Sequence, residues 1–190
     1  MAKGRDSIER SGEEDPRAFD SLVGRYTPLV VHIVRRMITD VEDTKDIYQE
    51  VFTKVYEALP AFRFESKMST WIATIAYNTC INHLKKKREI LLDDLRTEQG
   101  TMESALTCPS LPDEHTERAD LAERLEGEIL KMPVHFRTIL TLYHLEDMSY
   151  GEIGKVLNLP EGTIKSHLFR ARKLLRHRLA VKYSKEDLLT

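Results

Sequence analysis

The chain has 190 residues, of which 41% are hydrophobic and 32% charged, and its formal net charge is -2. This length suits one domain or two small ones, and the apolar content excludes a chain that is disordered throughout. Two cysteines, Cys80 and Cys108, are too few and too far apart for a disulfide framework or a zinc site. The charged N-terminus lacks an apolar signal segment, and no apolar run is long enough to cross a bilayer. We therefore expect a soluble, cytoplasmic protein without membrane insertion.

The near-neutral total conceals a strong separation of charge along the chain. Residues 40–57 contain six acidic residues and two lysines, whereas residues 161–182 contain seven lysines and arginines and one glutamate. Such a division allows one surface to bind a polyanion and another to bind a cationic protein.

The first helical block is predicted from apolar spacing, which has a helical period almost everywhere and indicates an all-α fold. A first helix has its apolar stripe between Phe19 and Met37, and Pro28 inside it should cause a kink or mark a helix boundary. Asp40 is a candidate N-cap for a second helix, which should end before Pro60. The apolar stripe of that second helix comprises Ile47, Val51, Val55 and Leu59.

A third helix is predicted from near Ser69 to about Arg88. Its inward-facing residues are expected to be Trp71, Ile72, Ile75, Ile81 and Leu84. Residues 93–118 then hold seven acidic residues against two arginines, with one glycine and two prolines. Apolar residues are sparse there, so this acidic segment is predicted to be a flexible linker without a core of its own.

A second helical block begins near Leu121. Its first stripe, ended by Pro133, comprises Leu121, Leu125, Ile129 and Met132, and its second comprises Phe136, Ile139, Leu140 and Tyr143. Ser149 and Glu152 have the spacing of a capping box at the start of a short helix. A turn at residues 158–160 separates that helix from a longer basic helix over residues 161–182. A short helix, a brief turn and a longer basic helix are typical of a helix-turn-helix.

The last helix has separate inner and outer faces. Ile164, Leu168, Ala171, Leu175 and Leu179 recur at helical spacing and should face the core. A parallel outward stripe near the start of the helix could contact base edges in the major groove, where each base pair shows a distinct pattern of donors and acceptors. The arginines later in the helix suit contacts with phosphates. Phe169 is unusual on a wet face, and contact with a thymine methyl group would explain it. The DNA-binding candidates are Thr163, Lys165, Ser166, His167, Phe169, Arg170, Arg172, Lys173 and Arg176. The alternative interpretation is a solvated basic helix that closes a bundle.

A second nucleic-acid surface is predicted around the third helix. An aromatic and charged loop precedes this helix, two asparagines lie one turn apart on it, and four consecutive cations end it. Stacking combined with backbone neutralisation is how proteins hold single strands. The candidates are Phe62, Arg63, Phe64, Ser66, Lys67, Asn78, Asn82, Lys85, Lys86 and Arg88. Alternatively, Phe62, Phe64 and Trp71 are core residues and the cations are a solvated helix end.

Both halves of the chain resemble a known family. EDTKDIYQEVF at residues 42–52, ALPAF at 58–62 and STWIATIAYN at 69–78 are similar to sigma region 2. LEDMSYGEIG at 145–154 and LPEGTIKSHLFRAR at 159–172 are similar to sigma region 4. With no region 3 between them, the chain resembles the extracytoplasmic-function (ECF) group of RNA polymerase sigma factors. The implied organisation is an N-terminal tail (1–15), a region 2 domain (16–92), an acidic linker (93–118), a region 4 domain (119–183) and a C-terminal tail (184–190).

The resemblance implies roles for the candidate residues. The acidic helix, through Asp46, Gln49, Glu50 and Thr53, would bind core RNA polymerase. The aromatic loop and third helix would capture promoter DNA at the minus-ten element as an opened single strand. The last helix would read the minus-thirty-five element as duplex, and the linker would thread the polymerase channels. An anti-sigma factor is a further candidate partner.

The sequence departs from the family pattern at three positions. Phe64 replaces a usual glycine, which permits backbone angles that phenylalanine disfavours. Thr74 and His167 replace residues that are often basic, which would alter promoter preference.

Two other functions were weighed. A stand-alone helix-turn-helix regulator would explain the C-terminal half but not the acidic helix, aromatic loop and cationic helix end. An enzyme is disfavoured, because the seven histidines show no metal-binding spacing and no phosphate loop or nucleophile motif is present. We therefore expect no catalytic residues, metal or cofactor.

Overall fold

The structure is a computed structural model that describes residues 16–96 and 117–183. Within these two ranges all regular secondary structure is helical, which confirms the predicted all-α class. The chain divides into two compact units, one N-terminal and one C-terminal. The predicted linker lies mostly outside the described residues.

Within residues 16–96, the N-terminal unit is built from three helices and one 3-10 turn. They are α1 (Pro16–Met37), α2 (Val41–Ala58), the 3-10 turn (Leu59–Ala61) and α3 (Met68–Arg96). The predicted stripe of α2 is buried in full, at Ile47, Val51, Val55 and Leu59. Helix α1 contributes Val30, Ile33 and Val34 to this core, and α3 contributes Ile72, Ala73 and Ala76.

Pro28 does not end a helix. Helix α1 continues through it to Met37, so of the two predicted outcomes, a kink or a helix boundary, the boundary is excluded. Proline has no N–H group, so the Gly24 carbonyl oxygen lacks its usual helix donor. Pro28 is exposed, so water can donate a hydrogen bond to that oxygen instead.

Asp40 caps α2, accepting hydrogen bonds from the backbone amides of Glu42 and Asp43 over 2.9 and 3.0 Å, as predicted.

Helices α2 and α3 are joined by polar contacts at two places along their length. Lys87 Nζ of α3 lies 2.7 Å from Asp43 Oδ2 of α2. Lys54 Nζ of α2 also donates to the Thr79 hydroxyl of α3 over 3.3 Å.

Helix α3 is helical through Arg96, the last residue described in this range, and so runs past the end predicted at about Arg88. The added segment contains several strong helix formers, and the first glycine or proline beyond it is Gly100. Local helix propensity, together with apolar residues that continue at helical spacing, therefore carries the helix into the predicted linker.

Residues 117–183 of the C-terminal unit form four helices. They are α4 (Glu117–Leu130), α5 (Val134–His144), α6 (Tyr150–Leu157) and α7 (Glu161–Lys182). Leu125 was predicted to face inward but is 38% exposed, while Glu128 is only 4% exposed. The reason is an ion-pair cluster, because Glu128 Oε1 lies 2.9 Å from Lys182 Nζ of α7 and 3.0 Å from Lys131 Nζ.

The helix-turn-helix has the predicted capping box and turn. Ser149 donates its backbone amide and its hydroxyl to Glu152 Oε2 over 2.9 and 2.7 Å, and the Glu152 amide returns a bond to the Ser149 hydroxyl over 3.3 Å. In the turn, Asn158 takes a left-handed conformation with φ 53°, which asparagine tolerates better than most residues. Helix α7 then begins at Glu161, as predicted.

Candidate nucleic-acid interface

The outer face of helix α7 is exposed and basic. Ile164, Leu168 and Ala171 are buried as predicted, while Leu175 and Leu179 are half-buried. The exposed candidates are Lys165, Ser166, Phe169, Arg170, Arg172, Lys173 and Arg176. The helix therefore presents cations along one side while its other side closes the unit.

Phe169 is 69% exposed. An aromatic ring that is this accessible contributes little to the core, and its exposure costs the favourable burial that the side chain would otherwise provide. The exposure supports a role for the ring in contact with another molecule.

Two of the candidates on α7 are less accessible than the sequence analysis implied. Thr163 and His167 are half-buried. The His167 ring packs near the rings of His135 and Phe136, with centroid distances of 5.5 and 6.0 Å. Contact with α5 thus explains a large part of the position of His167.

Several α7 side chains already have partners inside the unit. Lys165 Nζ lies 3.1 Å from Glu161 Oε1, and the Ser166 hydroxyl donates to the Gly162 carbonyl over 3.0 Å. Arg172 Nε donates to His144 Nε2 over 3.2 Å. Hydrophobic spacing had placed Tyr143 in an inward stripe, but it is half-buried and its ring lies beneath the Arg172 guanidinium.

In the N-terminal unit, the loop before α3 carries an aromatic cluster. The Phe62 ring lies 4.8 Å from the Phe64 ring and 4.8 Å from the Trp71 ring, centroid to centroid. Phe64 is 39% exposed, so the alternative that places it in the core is wrong, whereas Phe62 and Trp71 are half-buried. The cluster presents ring faces at the surface of this unit.

Phe64 also has an unusual backbone. Its φ is 56°, in the left-handed region that favours glycine. The loop therefore keeps a glycine-like conformation although the residue is phenylalanine, at a cost of about 1–2 kcal/mol.

The polar and basic candidates near α3 divide into two groups. Arg63, Lys67, Asn78, Asn82, Lys85 and Lys86 are exposed, and Ser66 is half-buried. Lys87 instead pairs with Asp43, so not all the cations at this helix end are available to a ligand. The side chain of Arg88 lies outside the described residues.

The acidic helix α2 exposes all four predicted polymerase-binding residues, Asp46, Gln49, Glu50 and Thr53. Glu50 Oε1 forms an ion pair with Lys54 Nζ at 2.5 Å, and the Thr53 hydroxyl donates to the Gln49 carbonyl over 3.0 Å. The face is thus accessible and predominantly negative.

No cluster of three or more histidine, cysteine, aspartate or glutamate residues that would suit a metal occurs in residues 16–96 and 117–183. Cys80 is fully buried, and burial raises the pKa of its thiol to about 12. It is therefore a small core residue with an unreactive thiol. No helix in the same ranges is long and apolar enough to cross a membrane.

These features define a helix-turn-helix protein with a separate helical unit that carries an acidic face. The Sigma-70 region 2 family matches residues 22–90, and the Sigma-70, region 4 family matches residues 122–175. The chain thus contains both sigma-70 regions, and relatives that are 33% identical over most of its length show that it belongs to the ECF group of RNA polymerase sigma factors. The relatives that match the chain are named as sigma factors, which are regulatory rather than catalytic proteins.

Relatives of this group match nearly the whole chain. The ECF RNA polymerase sigma factor SigW of Bacillus subtilis is 33% identical over 94% of this chain and 97% of the relative. The RNA polymerase sigma-H factor of Pseudomonas aeruginosa is 33% identical over 88% and 89%. The ECF sigma-E factor of Escherichia coli K12 is 33% identical over 88% and 90%.

Solved structures share the fold at lower identity. CnrH, solved with the cytosolic domain of CnrY, aligns with a TM-score of 0.66 and 20% identity over 94% of this chain and 98% of its own. The sigma factor RpoE of Bartonella quintana, solved with the anti-sigma factor NepR, aligns with a TM-score of 0.66 and 18% identity over 87% and 98%.

Proposed function

We propose that this sigma factor directs RNA polymerase to a specific promoter class by reading two DNA elements in different forms. Helix α7 reads the minus-thirty-five element as duplex, and the loop before α3 captures the minus-ten element as a single strand. The observation that carries the proposal is the exposed, basic outer face of α7 directly after the capped helix α6. An α-helix with this charge fits the major groove.

For the minus-ten element, the proposal rests on the aromatic cluster and the exposed asparagines. A base that leaves the duplex loses stacking, and an exposed ring such as Phe64 replaces that stacking. Asn78 and Asn82 lie one helical turn apart on α3 and offer both donors and acceptors to base edges. Lys85 and Lys86 then neutralise the strand's phosphates.

The acidic face of α2 is the proposed docking surface for core polymerase. Asp46, Gln49, Glu50 and Thr53 are accessible on one helix, and a negative surface favours association with a cationic partner. In this assignment residues 16–92 form the region 2 domain and residues 119–183 the region 4 domain, with the acidic segment 93–118 as the connection.

The decisive experiment is run-off transcription with core polymerase, with and without this protein, on genomic fragments. We expect new start sites that appear only with the protein and that share two upstream elements at constant spacing. A conventional helix-turn-helix regulator would bind promoter duplex without polymerase and would create no new start sites. That outcome would overturn the assignment.

Element use is tested by scrambling each element in turn. Loss of the minus-thirty-five element should weaken closed-complex formation, while Asn78→Ala should reduce promoter opening, measured by permanganate reactivity, more than closed-complex binding. Equal losses in both steps for Asn78→Ala would contradict its assignment to strand capture.

RpoE of Bartonella quintana was solved with an anti-sigma factor, and we propose a protein of that class as a regulator of this chain. A purified candidate should inhibit the run-off reaction stoichiometrically, and added sigma factor should restore it. Inhibition that persists at excess sigma factor would exclude such a partner.

A further inference from the structure

Two tyrosines from the helices before α7 stack on each other. Tyr143 lies at the end of α5 and Tyr150 is the first residue of α6. Their ring centroids are 5.3 Å apart and the ring planes differ by only 14°. Both side chains are half-buried, so each ring remains partly accessible.

Each tyrosine lies under one cation of the reading helix. Lys165 Nζ is 5.5 Å from the centroid of the Tyr150 ring, and Arg172 Cζ is 4.9 Å from the centroid of the Tyr143 ring. Both distances are within the range of cation–π attraction. Lys165 and Arg172 are seven residues apart, almost two helical turns, so they lie on the same face of α7.

Hydrogen bonds stabilise this arrangement at the end near Arg172. Hydrogen bonds with Tyr150 and with Arg172 lower the pKa of the Tyr143 hydroxyl, while the bond to Tyr143 raises the pKa of Tyr150. Arg172 also donates from Nε to His144 Nε2 over 3.2 Å, so its guanidinium is held by two residues of α5.

We propose that Tyr143 and Tyr150 form a platform that positions Lys165 and Arg172 for contact with the promoter duplex. The proposal rests on the assignment of α7 as the duplex-reading helix. Lysine and arginine side chains lose much rotamer freedom when they bind, so a cation that is already oriented binds with a smaller entropic penalty. The tyrosines are thus positioning residues that act through the two cations.

The test measures binding of polymerase holoenzyme to promoter duplex. Tyr143→Leu and Tyr150→Leu should each weaken binding about two- to fivefold, the range expected when one exposed cation–π contact is lost. Tyr150→Phe keeps the ring and should retain most of the affinity. Tighter binding by the leucine variants would overturn the proposal, because it would mean that the tyrosines hold the cations away from DNA.

A double-mutant cycle separates positioning from a purely structural role. In an Arg172→Ala background, Tyr143→Leu should have no further effect on DNA affinity. In an Arg176→Ala background its effect should remain, because Arg176 is equally exposed but lies one turn beyond the platform. An equal effect of Tyr143→Leu in both backgrounds would show that it acts by disturbing the fold.

Two further measurements distinguish failure of the platform from failure of the proposed function. In the free protein, ring currents should shift the NMR signals of the Lys165 and Arg172 side chains, and the leucine variants should abolish these shifts. Unshifted signals in the wild type would overturn the platform whatever the DNA result. If wild-type holoenzyme does not discriminate a scrambled minus-thirty-five element, the proposed function fails. If it does discriminate and the leucine variants bind equally well, only the platform fails.

Discussion

The backbone amide of Leu159 donates a hydrogen bond to the carbonyl oxygen of Gly154 over 2.9 Å. This bond closes the turn between α6 and α7 and brings the Leu159 carbonyl oxygen within 2.8 Å of the position that a Cβ on Gly154 would occupy. The obstacle is backbone rather than the end of a flexible side chain, so the orientation of the reading helix depends on the absence of a side chain at residue 154.

Gly154→Ala should therefore destabilise the C-terminal unit by about 1–3 kcal/mol, since relief of the contact requires a backbone shift. The free energy of unfolding from urea titration measures the effect. Gly127→Ala is the matched control, because nothing lies within 4 Å of the corresponding Cβ in α4. It should raise stability by up to about 1 kcal/mol, as expected for glycine in a helix interior. Equal stability of the two variants would contradict the role assigned to the close approach.

Lys86 and Lys87 are neighbours with different expected roles. Lys87→Ala should lower the free energy of unfolding by less than about 1 kcal/mol, because its pair with Asp43 is partly exposed, and should leave single-strand binding unchanged. Lys86 is exposed and has no ion-pair partner in the described part of the chain. Lys86→Ala should leave stability unchanged but reduce the salt dependence of single-strand affinity by about 0.7 in slope. The reverse pattern would show that the two lysines have been assigned incorrectly.

The ion pair between Lys87 and Asp43 predicts that stability depends on pH. The hydrogen bond from Lys87, together with attraction to His83 and Lys87, lowers the pKa of Asp43 below its ordinary value of 3.8, despite the opposing effect of burial. A lowered folded-state pKa contributes stability that is present above pH 3.8 and is lost as the pH falls further. Asp43→Asn should thus destabilise the protein at neutral pH, and the difference from wild type should shrink in acid. A difference that is constant with pH would refute this.

Two substitutions of Phe64 distinguish the effect of backbone strain from the effect of the aromatic ring. Phe64→Gly and Phe64→Ala both remove the ring, but only glycine adopts the left-handed conformation without cost, so the glycine variant should be about 1 kcal/mol more stable in urea unfolding. Loss of the ring should weaken binding of the opened minus-ten strand equally in both variants, by about 1–3 kcal/mol if one base stacks on it. Unchanged strand affinity would exclude Phe64 from base capture.

Glu128 is the buried anion of the C-terminal unit. Burial raises its pKa, but hydrogen bonds from Lys182 and Lys131 outweigh that effect, so the net pKa lies below the ordinary 4.5. Its stabilising contribution is therefore present above pH 4.5 and is lost at lower pH. Glu128→Gln should lower the free energy of unfolding at neutral pH by about 1–3 kcal/mol. Glu123→Gln, an exposed change on the same helix, is the control and should have little effect; equal losses would contradict the role of the buried cluster.

Reversal of two charges on α2 tests polymerase docking. Asp46→Lys combined with Glu50→Lys should abolish association with core polymerase in a pull-down, because it makes the proposed negative surface positive. Far-UV circular dichroism should show unchanged helicity, since both residues are exposed. Association at the wild-type level would remove this surface from the interface.

The sequence by itself determined the helical class, the order of the helices and the limits of the reading helix. These features follow from local rules: a 3.6-residue apolar period, the N-cap at Asp40 and the reciprocal capping of Ser149 and Glu152. Each involves residues within a few positions of one another, so a short stretch of sequence contains all the information that is needed. The extension of α3 past Arg88 was missed because Asp93 and Asp94 were assigned to the acidic linker, although the leucines around them continue the helical spacing.

Only the tertiary structure decided which residues of a similar kind take different roles. Lys87 pairs with Asp43 while Lys86 faces solvent, Glu128 rather than Leu125 is buried, and Tyr143 lies under Arg172. Each of these outcomes depends on a partner from another helix, because the free energy of a charged or aromatic side chain is set by what surrounds it in space. Sequence spacing places such a residue on a helix face, but it does not identify the neighbour across the interface.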